Sequence, residues 1–377
     1  HTTGGLLTAF QNPRGHVSQI TYDDLGRLFR DQNPAGGSWT LGRSNDTTGH
    51  TSTLTSALNR TATYRVDELP TGERRWRNTR PDGTAIESLF KTDGAVVATA
   101  PDGAVSTTVI GPDPRFGMLA PVPGSTTIRT PGGLTSTTSV TRVATLSDPA
   151  NLLSLVDQTE TTVTNGRTRT RAYNAAGRTY TDTSAAGRQV VTVVDAQGRL
   201  TKEQTPGLAE MNLAYDARGR LVSFTQGSGA GGRITQFGYD AQGNLESISD
   251  ALGGTERFAF DPAGRVTQQT LTDGRVIRLG YDANGNITNV TPPGRPAHGF
   301  GFTAVDLEEA YTPPVVTGVP VTTTQYAYNL DKQLTRITRP DGQTIGLAYD
   351  AGGRIASRTI PDGTITHGYH ASTGQTA

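Results

Sequence analysis

A short phrase, Tyr-Asp-x-x-Gly followed by Arg or Asn and an apolar residue, recurs along this chain. It reads Tyr215-Asp216-Ala217-Arg218-Gly219-Arg220-Leu221, then Tyr239-Asp240…Gly243-Asn244-Leu245, Phe260-Asp261…Gly264-Arg265-Val266 and Tyr281-Asp282…Gly285-Asn286-Ile287. The anchor positions Tyr173, Val194, Tyr215, Tyr239, Phe260 and Tyr281 are separated by 21, 21, 24, 21 and 21 residues. Phe302 is a weaker copy, Tyr328 and Tyr349 are again 21 apart, and Tyr22 stands alone near the start. A fixed period of this size marks an array in which each unit buries its surface against its neighbours. Such an array builds a surface, a wall or a fibre more readily than a single pocket.

The unit is a β-hairpin. Before each anchor, apolar and small or polar residues alternate, as in Met211-Asn212-Leu213-Ala214-Tyr215 and Ile277-Arg278-Leu279-Gly280-Tyr281. That period of two is the mark of a half-buried strand. The Asp after the anchor can accept backbone N–H bonds two residues on, and Gly supplies the left-handed position that closes a tight turn. The expected turn glycines are Gly26, Gly177, Gly198, Gly219, Gly243, Gly264, Gly285 and Gly353. A second turn closes each unit, as in Pro81-Asp82-Gly83, Pro101-Asp102-Gly103 and Pro340-Asp341-Gly342. Two strands in every 21 residues give about thirty strands or more over the chain. A twisted sheet that wide must coil. The expected fold is therefore all-β, a spiralling antiparallel hairpin array. The small residue before each anchor (Ala172, Ala214, Gly238, Ala259, Gly280, Ala327, Ala348, Gly368) predicts a face closely approached by a neighbouring turn or chain segment, or smooth along a lumen.

The pattern divides the chain into diverged β-repeats over 1–170 and regular repeats over 171–377, with an irregular insertion near 291–325. Gly111–Gly117 is expected as a longer connection, and Val305–Ala310 as a short helical turn. The chain begins at His1 rather than Met, which reads as a processed or excised piece.

Composition narrows the function. Hydrophobic residues are only 33%, but a net charge of +0 and periodic β-formers argue against disorder. Neutral charge also argues against nucleic acid as a partner. With Cys 0 there are no disulfides, thiolate nucleophiles or Cys-zinc sites. No apolar run approaches the roughly 20 residues of a membrane span. The Gly-rich stretch 227–232 has no following helix and reads as a hairpin loop. Asp282-Ala283-Asn284-Gly285-Asn286 resembles the start of a calcium loop but has Pro293 where the acidic twelfth ligand belongs. His367 and His370 face opposite sides of a strand. The Asp residues of the repeat are explained by turn capping, so no catalytic, cofactor or metal residue is assigned. The anchors Tyr22, Tyr173, Tyr215, Tyr239, Phe260, Tyr281, Tyr328 and Tyr349 read as a stabilising aromatic ladder rather than a sugar-stacking surface.

These phrases resemble the YD repeats of RHS-repeat proteins, which include bacterial polymorphic toxins, the shell component of insecticidal toxin complexes, wall-associated proteins and teneurins. The resemblance covers nearly the whole chain, most clearly 171–377. It implies a hollow β-shell that in the toxins encloses a C-terminal effector. The family's aspartate-dependent self-cleavage core and a toxin domain are not recognisable here. The expectation is a non-enzymatic shell or tube segment, secreted or displayed at a bacterial surface. Its partners would be flanking parts of the same polypeptide, identical copies end to end, or an encapsulated toxin domain. The alternatives are a self-assembling extracellular filament and a glycan-binding adhesin that uses exposed Tyr, Trp39 or Trp76.

Overall fold

The computed structural model describes residues 1–2, 4–228, 231–318, 320 and 322–377. Among the described residues there are thirty-two β-strands, from Ala9–Gln11 to Gly363–Thr366, and no α-helix. Every strand pairs antiparallel with the next in sequence, so the molecule is one uninterrupted meander in a single sheet. The two end strands, Ala9–Gln11 and Gly363–Thr366, are paired on one side only.

Turns alternate between the two rims of this sheet. The Tyr-Asp tips lie on one rim, and the Pro-Asp-Gly turns lie on the other. In the repeat region most strands are five or six residues long, as in Met211–Tyr215, Val266–Thr270 and Leu334–Thr338. A register shift falls directly before the anchor ring, between Ala214 and Tyr215, Gly238 and Tyr239, Gly280 and Tyr281, and Ala348 and Tyr349. This is a β-bulge, and it adds twist at each of these units. The small residue sits at the last regular pair before the bulge. What approaches it is the side chain of its own cross-strand partner, not a turn from elsewhere. A Cβ on Gly238 would lie 2.3 Å from Ser247 Oγ, and one on Gly280 would lie 2.2 Å from Asn289 Nδ2. Ala214, opposite Ser223, is exposed.

Among the described residues the sheet has no second layer. Among the described apolar residues only Ala95 is buried, and no large side chain is fully buried. The accessible surface is 22730 Å², whereas a compact chain of this mass exposes about 14,000 Å². Stability therefore comes from ladders and from contacts along the rims.

Three local expectations are corrected. Val305–Ala310 is not helical. Thr303 to Asp306 forms a turn, with Asp306 in the left-handed position (φ 60), and the strand Glu308–Thr312 follows. The repeat therefore runs on through Thr312. The stretch Gly111–Gly117 is not a long connection. The strands Val105–Asp113 and Gly117–Arg129 run through it, and Asp113 pairs with Gly117 across a tight turn. At Gly177 the left-handed residue is Arg178 (φ 49) instead. There the ladder continues without a bulge, pairing Tyr173 with Tyr180, so the turn needs its positive φ one residue later. The Gly-rich stretch 227–232 includes residues outside those described.

Candidate functional site

The repeated phrase builds a side-chain lock at each tip. Asp216 Oδ1 accepts hydrogen bonds from the backbone N–H groups of Arg218 (2.9 Å) and Arg220 (2.9 Å). Its other oxygen accepts Arg220 Nε at 2.8 Å and pairs with the guanidinium end at 2.7 Å. These bonds, led by the Arg220 backbone N–H, hold the Asp216 carboxyl below the usual carboxylate range. Gly219 takes φ +84, which a residue with a Cβ reaches only with strain.

The same Arg then reaches the next repeat. Arg220 stacks over the Tyr239 ring at 4.2 Å, and Arg199, Arg265 and Arg354 stack over Tyr215, Tyr281 and Tyr369. The anchor hydroxyl reaches back. Tyr215 Oη donates to Leu200 O, Tyr239 to Leu221 O, Tyr281 to Val266 O and Tyr349 to Leu334 O, all at 2.7–2.8 Å. Tyr22 donates to Leu7 O and Tyr328 to Glu308 O in the same way. Phe260 has no hydroxyl to give. At Tyr215, Tyr239, Tyr281 and Tyr369 one unit is thus tied to the next by a cation–π contact in one direction and a hydrogen bond in the other. The anchors Tyr22, Tyr215, Tyr239, Tyr281, Tyr328 and Tyr349 serve this lock through their hydroxyls, and ring-on-ring contact occurs elsewhere. It joins Trp76 to Phe90 at 4.7 Å, and at the irregular anchor it joins Tyr173 to Tyr180 at 4.6 Å.

The second feature was not anticipated from the sequence. The sheet winds until its last third meets its first, and residues 270 to 292 positions apart bond across the seam. The Pro-Asp-Gly rim of the first winding abuts the Tyr-Asp rim of the second. Each first-winding turn fits between two tips. Arg14, in Asn12-Pro13-Arg14-Gly15, lies between the tips at 282–285 and 303–306. Its Nη1 donates to Thr303 O at 2.9 Å and its Nη2 to Phe302 O at 2.8 Å, and its Nε faces Asp282 Oδ2 at 3.4 Å. Its backbone N–H donates to Asn284 Oδ1 at 3.0 Å. The calcium-like loop is thus a tip that receives a guanidinium. Arg60 pairs with Asp331 at 2.8 Å, also bonds Gln333 Oε1 and Asp350 O, and lies over Tyr349. The Arg60 and Asp331 side chains are only 13% and 9% exposed. In the reverse direction Arg354 donates to Asp82 Oδ2 at 3.0 Å.

The seam follows a rule. Most tips carry their own Arg four residues after the Asp. The tips at 282, 303 and 329 carry Asn286, Leu307 and Gln333 there instead. Arg14 and Arg60 come from the other winding to the tips at 282 and 329 and do what the missing repeat Arg would do, whereas the turn beside Leu307, Asn33-Pro34-Ala35-Gly36, brings no Arg. Arg265 Nη1 donates to Asp282 O, and Arg60 makes the corresponding bond to Asp350 O. Asp306 is held low first by the Asn284 bond and then by Asn286 and Arg14. Burial works to raise Asp282 and Asp82, but hydrogen bonds and the charges of Arg14 and Arg354 outweigh it. The visible signal in the sequence was the absence of Arg from these three phrases.

The teneurin YD-shell family profile matches residues 1–377. The chain belongs to the teneurin YD-shell family. Among solved structures, the YD-shell chain is similar to that of the TcdB2-TccC3-Cdc42 crystal structure, at 13% identity and TM-score 0.45 over 97% of this chain and 25% of that one. It is also similar to TcdB2-TccC3 without its hypervariable C-terminal region, at 11% identity and TM-score 0.44 over 97% and 23%. A stretch of 77 residues is 38% identical to double-stranded DNA deaminase toxin A of Burkholderia cenocepacia (strain H111), covering 19% of this chain and 5% of that protein. This YD-shell chain thus spans about a quarter of the structures it matches, and less of the curated relative. Among the described residues, no helix is long and apolar enough to cross a membrane.

Proposed function

We propose that this chain is a wall segment of an exported or surface-displayed bacterial YD shell, without a reaction centre of its own, that encloses a passenger such as a toxin effector. The observation that carries this reading is the single-layer sheet wound onto itself and sealed by Arg14, Arg60 and Arg354. A wall needs two accessible faces and a seam, whereas an enzyme or a compact adhesin needs a core that this chain does not build. The shell family of the chain supports the same reading. End-to-end assembly of copies into a filament is the variant supported by the two half-paired end strands, because such edges pair readily. Electron microscopy of the purified protein tests both. Hollow rings or closed particles are expected for the wall, and continuous fibres would favour the filament. Solid compact particles would overturn both.

A further inference from the structure

The tip rule leaves one phrase unaccounted for. Tyr239-Asp240-Ala241-Gln242-Gly243-Asn244 differs from the Arg14-bound tip Tyr281-Asp282-Ala283-Asn284-Gly285-Asn286 only by Gln242 for Asn284. The two are built alike. Asn244 Nδ2 donates to Asp240 Oδ2 at 2.8 Å, and Asn286 Nδ2 donates to Asp282 Oδ2 at 2.9 Å. Neither tip has its own Arg. Asp282 is met by Arg14, but among the described residues no guanidinium or ammonium pairs with Asp240. The neighbouring Arg220 is held by Asp216.

Between this tip and the next one is an open cleft of about 800 Å³, lined by Asp240, Gln242, Asn244, Glu246, Phe260 and Asp261 among others. It occupies the place, relative to its two tips, that the Arg14 turn fills relative to the tips at 282 and 303. The cleft adds Glu246, which is exposed, and Asp261, whose charge is shared with Arg265. A second difference marks the tip as unseated. Arg265 Nη1 donates to Asp282 O at 2.9 Å, whereas its counterpart Arg220 Nη1 is buried without a hydrogen-bond partner. The rim that carries this cleft is continuous with the sealed seam, two repeats before it.

We propose that the Asp240–Asp261 cleft is a docking notch for an arginine-bearing β-turn of an adjoining YD-repeat winding, seated as Arg14 is seated between the tips at 282 and 303. The guanidinium would bridge the Asp240 carboxylate and the backbone carbonyls of Phe260 and Asp261. Charge complementarity favours this occupant over an apolar or acidic one, and the chain itself shows the binding mode once. The proposal deepens the shell reading, because it says where and by what chemistry the wall continues.

The test uses the full chain and a disulfide-closed hairpin peptide carrying the Arg14 turn (residues 8–20). A photoreactive phenylalanine replaces Ala263 at the cleft or, as a control, Ala304 in the notch that Arg14 already fills. Crosslinking of the peptide at 263 but not at 304 is expected. Yield should fall about tenfold, the worth of a charge-assisted bond, when the peptide's Arg is replaced by Ala or the protein carries Asp240→Asn. Glu246→Gln should weaken capture less. Asp240→Asn keeps the acceptor for the turn's own N–H groups, and an unchanged circular dichroism spectrum shows that the fold survives. Equal labelling by the Arg and Ala peptides, or capture unaffected by Asp240→Asn, would overturn the proposal. If hollow particles form but the notch takes no peptide, the wall reading survives and this inference alone fails.

Discussion

The strands between Ser38 and Asn174 and those between Thr179 and Ile360 belong to one sheet but hold together differently. The first set is long, reaching 13 residues in Gly117–Arg129 and 12 in Thr135–Leu146. Long ladders are dressed with cross-strand Thr pairs, such as Thr138 with Thr164 at 3.0 Å, and with individual ion clusters. Arg142 bridges Asp113 (2.9 Å) and Glu160 (2.6 Å), and Arg65 joins Asp46 and Asp67. The second set has short ladders, and its tips at Asp195, Asp216, Asp261 and Asp350 carry the Asp–Arg–Tyr lock. Where backbone pairing is long, almost any β-forming sequence with a satisfied charge keeps the register. Where only about five residues pair, the tip must supply what the ladder lacks, and the same residues return in one unit after another wherever no other winding supplies them.

This contrast can be broken experimentally, most severely at the seam. Arg60→Ala leaves Asp331 nearly buried without its partner and should cost about 3 kcal/mol. Hydrogen exchange should speed up at 329–333 and at 56–60 but not in the long strands at 117–146. Uniform acceleration would mean that the two regions are not separable. Acid should act on the same seam. The folded-state pKa values of Asp82, Asp282 and Asp306 lie below their ordinary value of 3.8. Their stabilisation is complete above about pH 5 and is lost as pH falls through those lowered values. Small-angle scattering along an acid titration should show the windings unchanged at pH 7 and loosening only once the pH falls below 3.8.

Within a winding, Tyr215→Phe removes one hydrogen bond, to Leu200 O, and should cost about 1 kcal/mol by urea melting. Thr161→Ala, in the middle of a long ladder, should stay within about 0.5 kcal/mol. Equal losses would remove the distinction between lock and ladder. Arg265→Ala should loosen its own tip and the following one, seen as faster exchange at both 261–264 and 281–285. Loosening of only the first would show that the Tyr281 stack carries nothing. Ala214→Trp should have the smallest effect, because Ala214 is exposed and its partner is Ser223. The sequence alone suggested a larger one.

The all-β meander, the two kinds of turn and most left-handed glycines were legible because each rests on a local rule repeated many times. The exception at Gly177 arose because Tyr173-Asn174 keeps an unbulged ladder, a register choice that no residue within the phrase announces. Within the insertion expected near 291–325, the tip at 303–306 was hidden because Thr303 and Asp306 stand where Asp and Gly usually do, although its bulge and left-handed residue match those of the other tips. The tyrosine role was half legible. The anchors were visible, but their partners are an Arg and a carbonyl one repeat back, and an aromatic ladder was the natural guess. The seam could not be read from one phrase at a time. It joins residues 270 or more positions apart, and its only trace is that Asn286, Leu307 and Gln333 stand where Arg belongs.

The staggered fit of the two windings has a consequence for how such chains can change. Arg14 and the tip that takes it are twenty-three strands apart, so the circumference is counted in hairpins. Gaining or losing one hairpin between them would slide every arginine past its aspartate by one tooth, as on a mismatched gear. Length variation is therefore expected inside loops rather than in whole units.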